Sequence, residues 1–211
     1  AIKSVADLKG KVVAATQPAA SSDYALRILL RKNNLVPDKD VKILYAGSSP
    51  ALLSMLKGGN AVAGLMTAPA TYAAQEAGLK LIVDVTELNI PFIFVGVATT
   101  RRLLQQKPDT VMRYLRGYTE AISVVLRDKE TTLKVMGKYM KMDNRQQVEA
   151  VYNEHAPVLQ RVPYITKKVV EAVLEVVKSP KGVQAKPEIF YDNSYIQKLE
   201  ASGFINSLYP R

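Results

Sequence analysis

Val12-Val13-Ala14-Ala15-Thr16-Gln17-Pro18-Ala19-Ala20-Ser21-Ser22-Asp23-Tyr24 decides how the chain reads. The apolar run over 12–16 is short and unbroken, as in a strand buried on both faces. A turn rich in hydroxyl residues follows. A helix then spans 21–33, with Leu26, Leu29 and Leu30 on one side. The same order recurs downstream. Alternating Val41, Ile43 and Tyr45 predict a strand over 41–45, then Gly47-Ser48-Ser49-Pro50 turns into a helix over 50–57 that stops at Gly58-Gly59. A strand over 61–66 leads through Thr67-Ala68-Pro69 to a helix over 68–77 capped by Gly78, and 79–83 reads as a further strand. Strand and helix alternating three times predict a parallel sheet with right-handed crossovers.

Pro91 breaks this rhythm. Residues 92–98 are β-prone (Phe92, Ile93, Phe94, Val95 and Val97), and the chain beyond Thr99 reads as almost wholly helical. Pro108 opens a helix to about residue 127, with Val111, Leu115, Tyr118, Ile122 and Val125 at helical spacing. Helices follow over 130–140, 145–155, 166–178 and 193–201, with a loop over 179–187. The fold class is thus α/β, a parallel-sheet lobe followed by a mostly helical region.

Composition narrows the chemistry. The 211 residues include no cysteine, which excludes disulfides and thiolate chemistry. No P-loop, dinucleotide-binding glycine motif or nucleophile elbow is present. A single histidine, His155, cannot build a multi-histidine metal site, and its place at a helix end suits a structural role. The expectation is therefore no catalytic residues, no metal and no cofactor. Against 29 Lys and Arg stand 19 Asp and Glu, a net +10 that favours anionic partners. The basic residues come as scattered pairs, so nucleic acid is not expected and a membrane surface is disfavoured. The apolar run near 90–98 is about half the length of a membrane-spanning helix.

In a parallel sheet the three hydroxyl-rich turns share the carboxyl edge, where open α/β sheets bind ligands. Helix N-termini offer unpaired N–H groups and partial positive charge there, and Ser or Thr oxygens suit the caps. The reading is a crevice for a small oxyanion.

The opening Ile2-Lys3-Ser4-Val5-Ala6-Asp7-Leu8-Lys9-Gly10-Lys11-Val12-Val13 resembles a segment of type II periplasmic solute-binding proteins of ABC transporters. Ser21-Ser22-Asp23-Tyr24, residues 47–53 and Phe190-Tyr191-Asp192-Asn193-Ser194-Tyr195 are similar to the nitrate, sulfonate and taurine group, which includes binders of thiamine pyrimidine precursors. The resemblance implies two lobes closing on a small anionic solute that is handed to an ABC permease, outside the cytoplasm, in the periplasm or extracellular with a lipoprotein anchor conceivable at full length. It makes residues 1–91 the second lobe. Residues 92–211 become a return strand and helices that would pack on a first lobe this chain lacks. The ligand-facing residues it implies are Gln17, Ser21, Ser22, Ser48, Ser49, Thr67 and Pro69. Asp23 is assigned to helix-dipole support, and Tyr24 to stacking or core packing. Relatives often carry an acid just before the proline of Thr67-Ala68-Pro69, a departure here. An unpaired strand over 92–98, or the C-terminal helices, would invite a second copy of the chain. Two alternatives share the architecture: the effector domain of a LysR-type regulator, and a pyrimidine-synthesising enzyme, which the absence of Cys disfavours.

Overall fold

The computed structural model describes residues 2–88, 93, 95–174 and 184–210. Among these, residues 2–88 form one compact unit and residues from 93 onward a second.

The first unit is built on three parallel strands: β1 (Val12–Ala15), β2 (Lys42–Tyr45) and β3 (Ala63–Gly64), in the order β2-β1-β3. Val13 faces Ile43 on one side and Ala63 on the other, so β1 is the central strand. Its side chains alternate between two cores. Val13 and Ala15 pack with Leu26, Leu29 and Leu30 of α1 (Ser21–Lys32), while Ala14 packs with Leu52 of α2 (Ser49–Lys57). Burial on both faces is why β1 reads as a continuous apolar run. The third helix, α3 (Ala70–Glu76), is short.

The entry turn Val5–Leu8 precedes β1 and buries Val5 and Leu8. Asp7 Oδ2 accepts from the Lys3 and Ser4 amides at 2.8 and 2.9 Å. These bonds to the ionised form hold the Asp7 carboxyl below its ordinary 3.8. A depressed folded pKa contributes stability above the unfolded value, and that contribution disappears as pH falls through the folded one. The Asp7 carbon resonance is therefore expected to titrate below 3.8, and Asp7→Asn to remove this acid dependence from the Ser4 amide signal.

Two expected strands differ. Residues 79–83 form no strand. Gly78, at φ +83°, closes α3, and the Leu79 amide returns to the Ala74 carbonyl at 3.0 Å. Leu81 is then 63% exposed, and Val83, Val85 and Leu88 reach the core from an irregular path. Side-chain burial, with no strand beside it, satisfies this segment. In 92–98, Phe92 and Phe94 lie outside the described residues. Ile93 and residues 95–98 carry no strand, and Val95 is 66% exposed. The expected strand over 61–66 keeps only its centre. Leu65 still donates to the Ala14 carbonyl at 3.1 Å.

The second unit is helical: α4 (Arg101–Gln106), α5 (Pro108–Arg127), α6 (Lys129–Met140), α7 (Arg145–His155), α8 (Lys167–Leu174), α9 (Ser194–Ala201) and α10 (Phe204–Ser207). The helix expected over 166–178 is described only to Leu174. Helices α4 and α10 were not individually expected. Ile196, Leu199 and Ile205 form a core with Met112 and Leu115 of α5. The buried stripe of α5 includes Thr119 and Ser123 beside Val111 and Ile122. Their hydroxyls donate to carbonyls of their own helix, at Leu115 and Glu120 respectively, so burial leaves them satisfied. His155 bonds through Nδ1 with the Val151 carbonyl one turn back.

Candidate functional site

The three strands of the first unit end side by side. Ala15 pairs with Tyr45 and Ala14 with Gly64, so the segments leaving β1, β2 and β3 start from one edge. The ladder continues past the strands: Ala46 donates to the Ala15 carbonyl at 3.0 Å and Gly47 to the Thr16 carbonyl at 2.7 Å. Gln17 Nε2 then donates to the Gly47 carbonyl at 3.1 Å, tying the first turn to the second. Gly47 lies at φ +84°, a left-handed value that suits glycine.

The expected residues take different roles. Ser48 caps α2, its Oγ accepting from the Ala51 amide at 3.4 Å, and its O–H proton is left to donate outward. Ser49 is half-buried in the first turn of the same helix. Ser22 is buried at 5% exposure and closes the loop before α1. Its Oγ accepts from the Thr16 amide at 3.0 Å and lies 2.7 Å from Thr16 Oγ1. Two hydroxyls sharing one O–H···O bond keep one proton to spare, so Thr16 joins the site on equal terms with Ser22. Ser21 is half-buried at the start of α1. Thr67 is half-buried, and its carbonyl accepts from the Ala70 amide. Pro69 is exposed and precedes α3.

Hydroxyl capping, expected at all three helices, occurs only at α2. Ala20 precedes α1 and Pro69 precedes α3, neither giving a side-chain cap. An aspartate instead braces the turn before α1. Asp23 Oδ2 accepts from the Ala19 amide at 2.9 Å, which holds Ala19 at φ +59°. Asp23 Oδ1 accepts from Arg27 Nε at 2.8 Å and from the Tyr45 hydroxyl at 3.1 Å. Arg27 also reaches Asp38 Oδ2 at 2.7 Å and the Tyr45 oxygen at 3.0 Å. Burial works to lower the Arg27 pKa, but the bonds to Asp38 and Tyr45 and the Asp23 charge outweigh it, and the guanidinium is held charged. Burial raises the Tyr45 phenol above its ordinary 10.0, which keeps it a donor.

The consequence for ligand chemistry is an asymmetry. Asp23 places negative charge in the first turn of α1, whereas α2 has no acid in its first turn. An anion is better placed at the α2 end, by Ser48 and Ser49, with the Thr16–Ser22 pair as a neutral donor. Tyr24 is 4% exposed, so it is a buried residue. Sequence reasoning missed Thr16, Arg27, Asp38 and Tyr45. The i,i+4 spacing of Asp23 and Arg27 was a visible signal for one pair; the others meet only through the fold.

The NMT1-like family model matches residues 1–138. The chain belongs to the NMT1-like family. A relative in Brachyspira hyodysenteriae, named as a candidate ABC transporter periplasmic binding protein, is 24% identical over 192 residues, covering 90% of this chain and 52% of that protein. The chain thus spans about half the length of the curated relative it matches. Among solved structures, the periplasmic aliphatic sulphonate binding protein SsuA from Escherichia coli superposes with a TM-score of 0.64 at 20% identity, covering 100% of this chain and 62% of that one. The alkanesulfonate-binding protein SsuA from Xanthomonas axonopodis, bound to MOPS, gives 0.66 at 18% identity over 94% of this chain and 65% of its own. A Bordetella bronchiseptica structure gives 0.68 at 18% identity, covering 95% and 67%. This NMT1-like chain has the fold of periplasmic solute-binding proteins. No helix among its described residues is long and apolar enough to cross a membrane.

Proposed function

We propose that this NMT1-like chain supplies the ligand-gripping part of the solute-binding component of an ABC-type importer. Its solute is a small oxyanion such as a sulfonate, nitrate or taurine, held at the carboxyl edge of the sheet by Gln17, Ser21, Ser22, Ser48, Ser49, Thr67 and Pro69, with Thr16 added. One observation carries the reading: the turns after β1 and β2 are laced together by the Gly47–Thr16 and Gln17–Gly47 bonds, which brings two sets of spare hydroxyl protons to one edge. Membership of the NMT1-like family and the fold of the sulfonate-binding structures support it. The relatives reported are binding proteins, which favours this reading over a LysR-type effector domain or an enzyme. In the whole protein, residues 1–91 would serve as the second lobe. The solute would select the closed pairing of lobes and be delivered to a permease from the periplasm or extracellular space.

Calorimetric titration of the protein at its full genomic length with ethanesulfonate, taurine and nitrate tests this. Saturable binding of at least one is expected. Losing one hydrogen bond to a charged guest is worth about 1.5–3 kcal/mol, so Ser48→Ala should weaken it roughly 10- to 100-fold. Binding of none of the three would overturn the anion class. Tight binding indifferent to both Ser48→Ala and Ser22→Ala would overturn the site.

A further inference from the structure

Three of the basic residues that look scattered in sequence border one groove of the second unit. Lys134 and Lys138, four residues apart on α6, and Lys141, which follows the helix at φ +53°, are exposed and border one groove. Among the described residues none of the three makes an ion pair. The Lys138 ammonium lies 5.6 Å from the Tyr139 ring centre. On the adjoining face, about 100° round the helix, Val135 is 48% exposed and Tyr139 78% exposed. The lysines border an open groove of about 860 Å³ between α6 and α7, floored by Leu133, Gly137 and Val148. Gly137 lets the turn after α6 fold back closely, since a Cβ there would lie 3.1 Å from the Met142 carbonyl oxygen. The acids at the rim are Glu130, which is paired with Arg145, and Asp143. Lys134, Lys138, Lys141 and Arg145 therefore outnumber them.

We propose that this face of α6 rests on an anionic lipid surface. Two observations favour lipid over an acidic protein. The cations on the exposed face are lysines, which are depleted in protein interfaces but are the usual partners of anionic headgroups. The apolar element is a protruding valine and tyrosine rather than a pocket, which suits shallow insertion at headgroup level, where tyrosine is enriched. Charge complementarity commits the face to that occupant: three ammonium groups with no ion pair among the described residues, bordered on one side by two exposed apolar side chains. The inference does not depend on the proposed solute site, which lies in the other unit.

Sedimentation with phosphatidylcholine vesicles containing about one-third phosphatidylglycerol tests it, using the full chain. Each lysine at an anionic surface contributes about fivefold in affinity. The triple variant Lys134→Gln, Lys138→Gln, Lys141→Gln should therefore bind roughly 100-fold more weakly, and Tyr139→Ser several-fold more weakly. A control that removes equal charge from the first unit, Lys9→Gln, Lys11→Gln, Lys57→Gln, should bind nearly as the parent does. Sodium chloride at about 0.5 M, which shortens the Debye length to about 4 Å, should release the parent. Equal losses in the two triple variants would overturn the proposal, because net charge alone would then explain binding. So would retention of poly-glutamate but not of vesicles, which would assign the face to an acidic protein. Circular dichroism confirms that each variant remains helical.

Discussion

Leu52→Ala should cost the first unit about 3 kcal/mol, within the 2–5 usual for a leucine-sized deletion from a closed core. Leu52 is fully buried and forms the second core with Ala14 and Ala61, under the face of the sheet that α1 does not cover. It is also the side chain that seats the first turn of α2, and so the position of Ser48. The reverse change is made at Gly64. A Cβ at this position would stand 2.6 Å from Leu52 Cδ2 and 3.3 Å from the Ala14 oxygen. Leu52 has no exposed surface to retreat into, so Gly64→Ala should overpack the site and cost about 2 kcal/mol. The two changes are coupled. With Leu52 already truncated, the obstructing methyl is absent, and Gly64→Ala should cost less than about 1 kcal/mol, a coupling of 1–2 kcal/mol. Urea unfolding followed at the Ala14 amide by NMR reads all three variants within the first unit. Strict additivity would contradict the packing described.

Asp23→Ala is the second large effect expected. The carboxylate is 4% exposed and accepts from three donors on three segments: the Ala19 amide, Arg27 and Tyr45. Its removal takes the acceptor from the Ala19 amide and leaves Arg27 with the exposed Asp38 carboxylate and the Tyr45 oxygen. Breaking a buried pair from one side costs about 3 kcal/mol. Asp38 bonds the same guanidinium, but its side chain is 55% exposed. Asp38→Ala should therefore cost less than about 1 kcal/mol, as exposed pairs do. The contrast separates a buried clamp on the 16–22 turn from a surface ion pair. Asp23→Ala should also exchange the Ala19 and Thr16 amides faster with solvent, while Asp38→Ala leaves them protected. Equal costs for the two would refute the role given to Asp23.

Particular residues show where sequence reasoning succeeded. The run Val12 to Ala15 announces a central strand because both its faces are covered, and the helix beginning at Ser21 announces itself by Leu26, Leu29 and Leu30. Both stand as expected. Residues 79–83 carry an equally apolar pattern and form no strand, because burial of Val83 and Val85 does not need a ladder. Hydrophobic pattern reports which side chains are buried, and a strand also needs a neighbour. At the site, Ser48 caps α2 as a hydroxyl turn residue is expected to, whereas Gln17 and Ser22 were legible as polar turn residues but their partners were not. Ser22 turns back to Thr16, and the turn before α1 is held by an aspartate that accepts from the amide four residues before it. Tyr45 meets Asp23 across 22 residues of chain, a juxtaposition fixed by the β1–β2 register rather than by any local motif. The basic residues read as scattered pairs, and the groove that Lys134, Lys138 and Lys141 share emerges once the helix is placed.

The most direct test of the account is an amide chemical-shift titration of the full-length protein with ethanesulfonate. The account predicts saturable shifts concentrated at Thr16, Ser22, Gly47, Ser48, Ser49 and Ala51, larger at the α2 end than at the start of α1. Saturable binding whose shifts fall elsewhere, with these six amides unmoved, would contradict it.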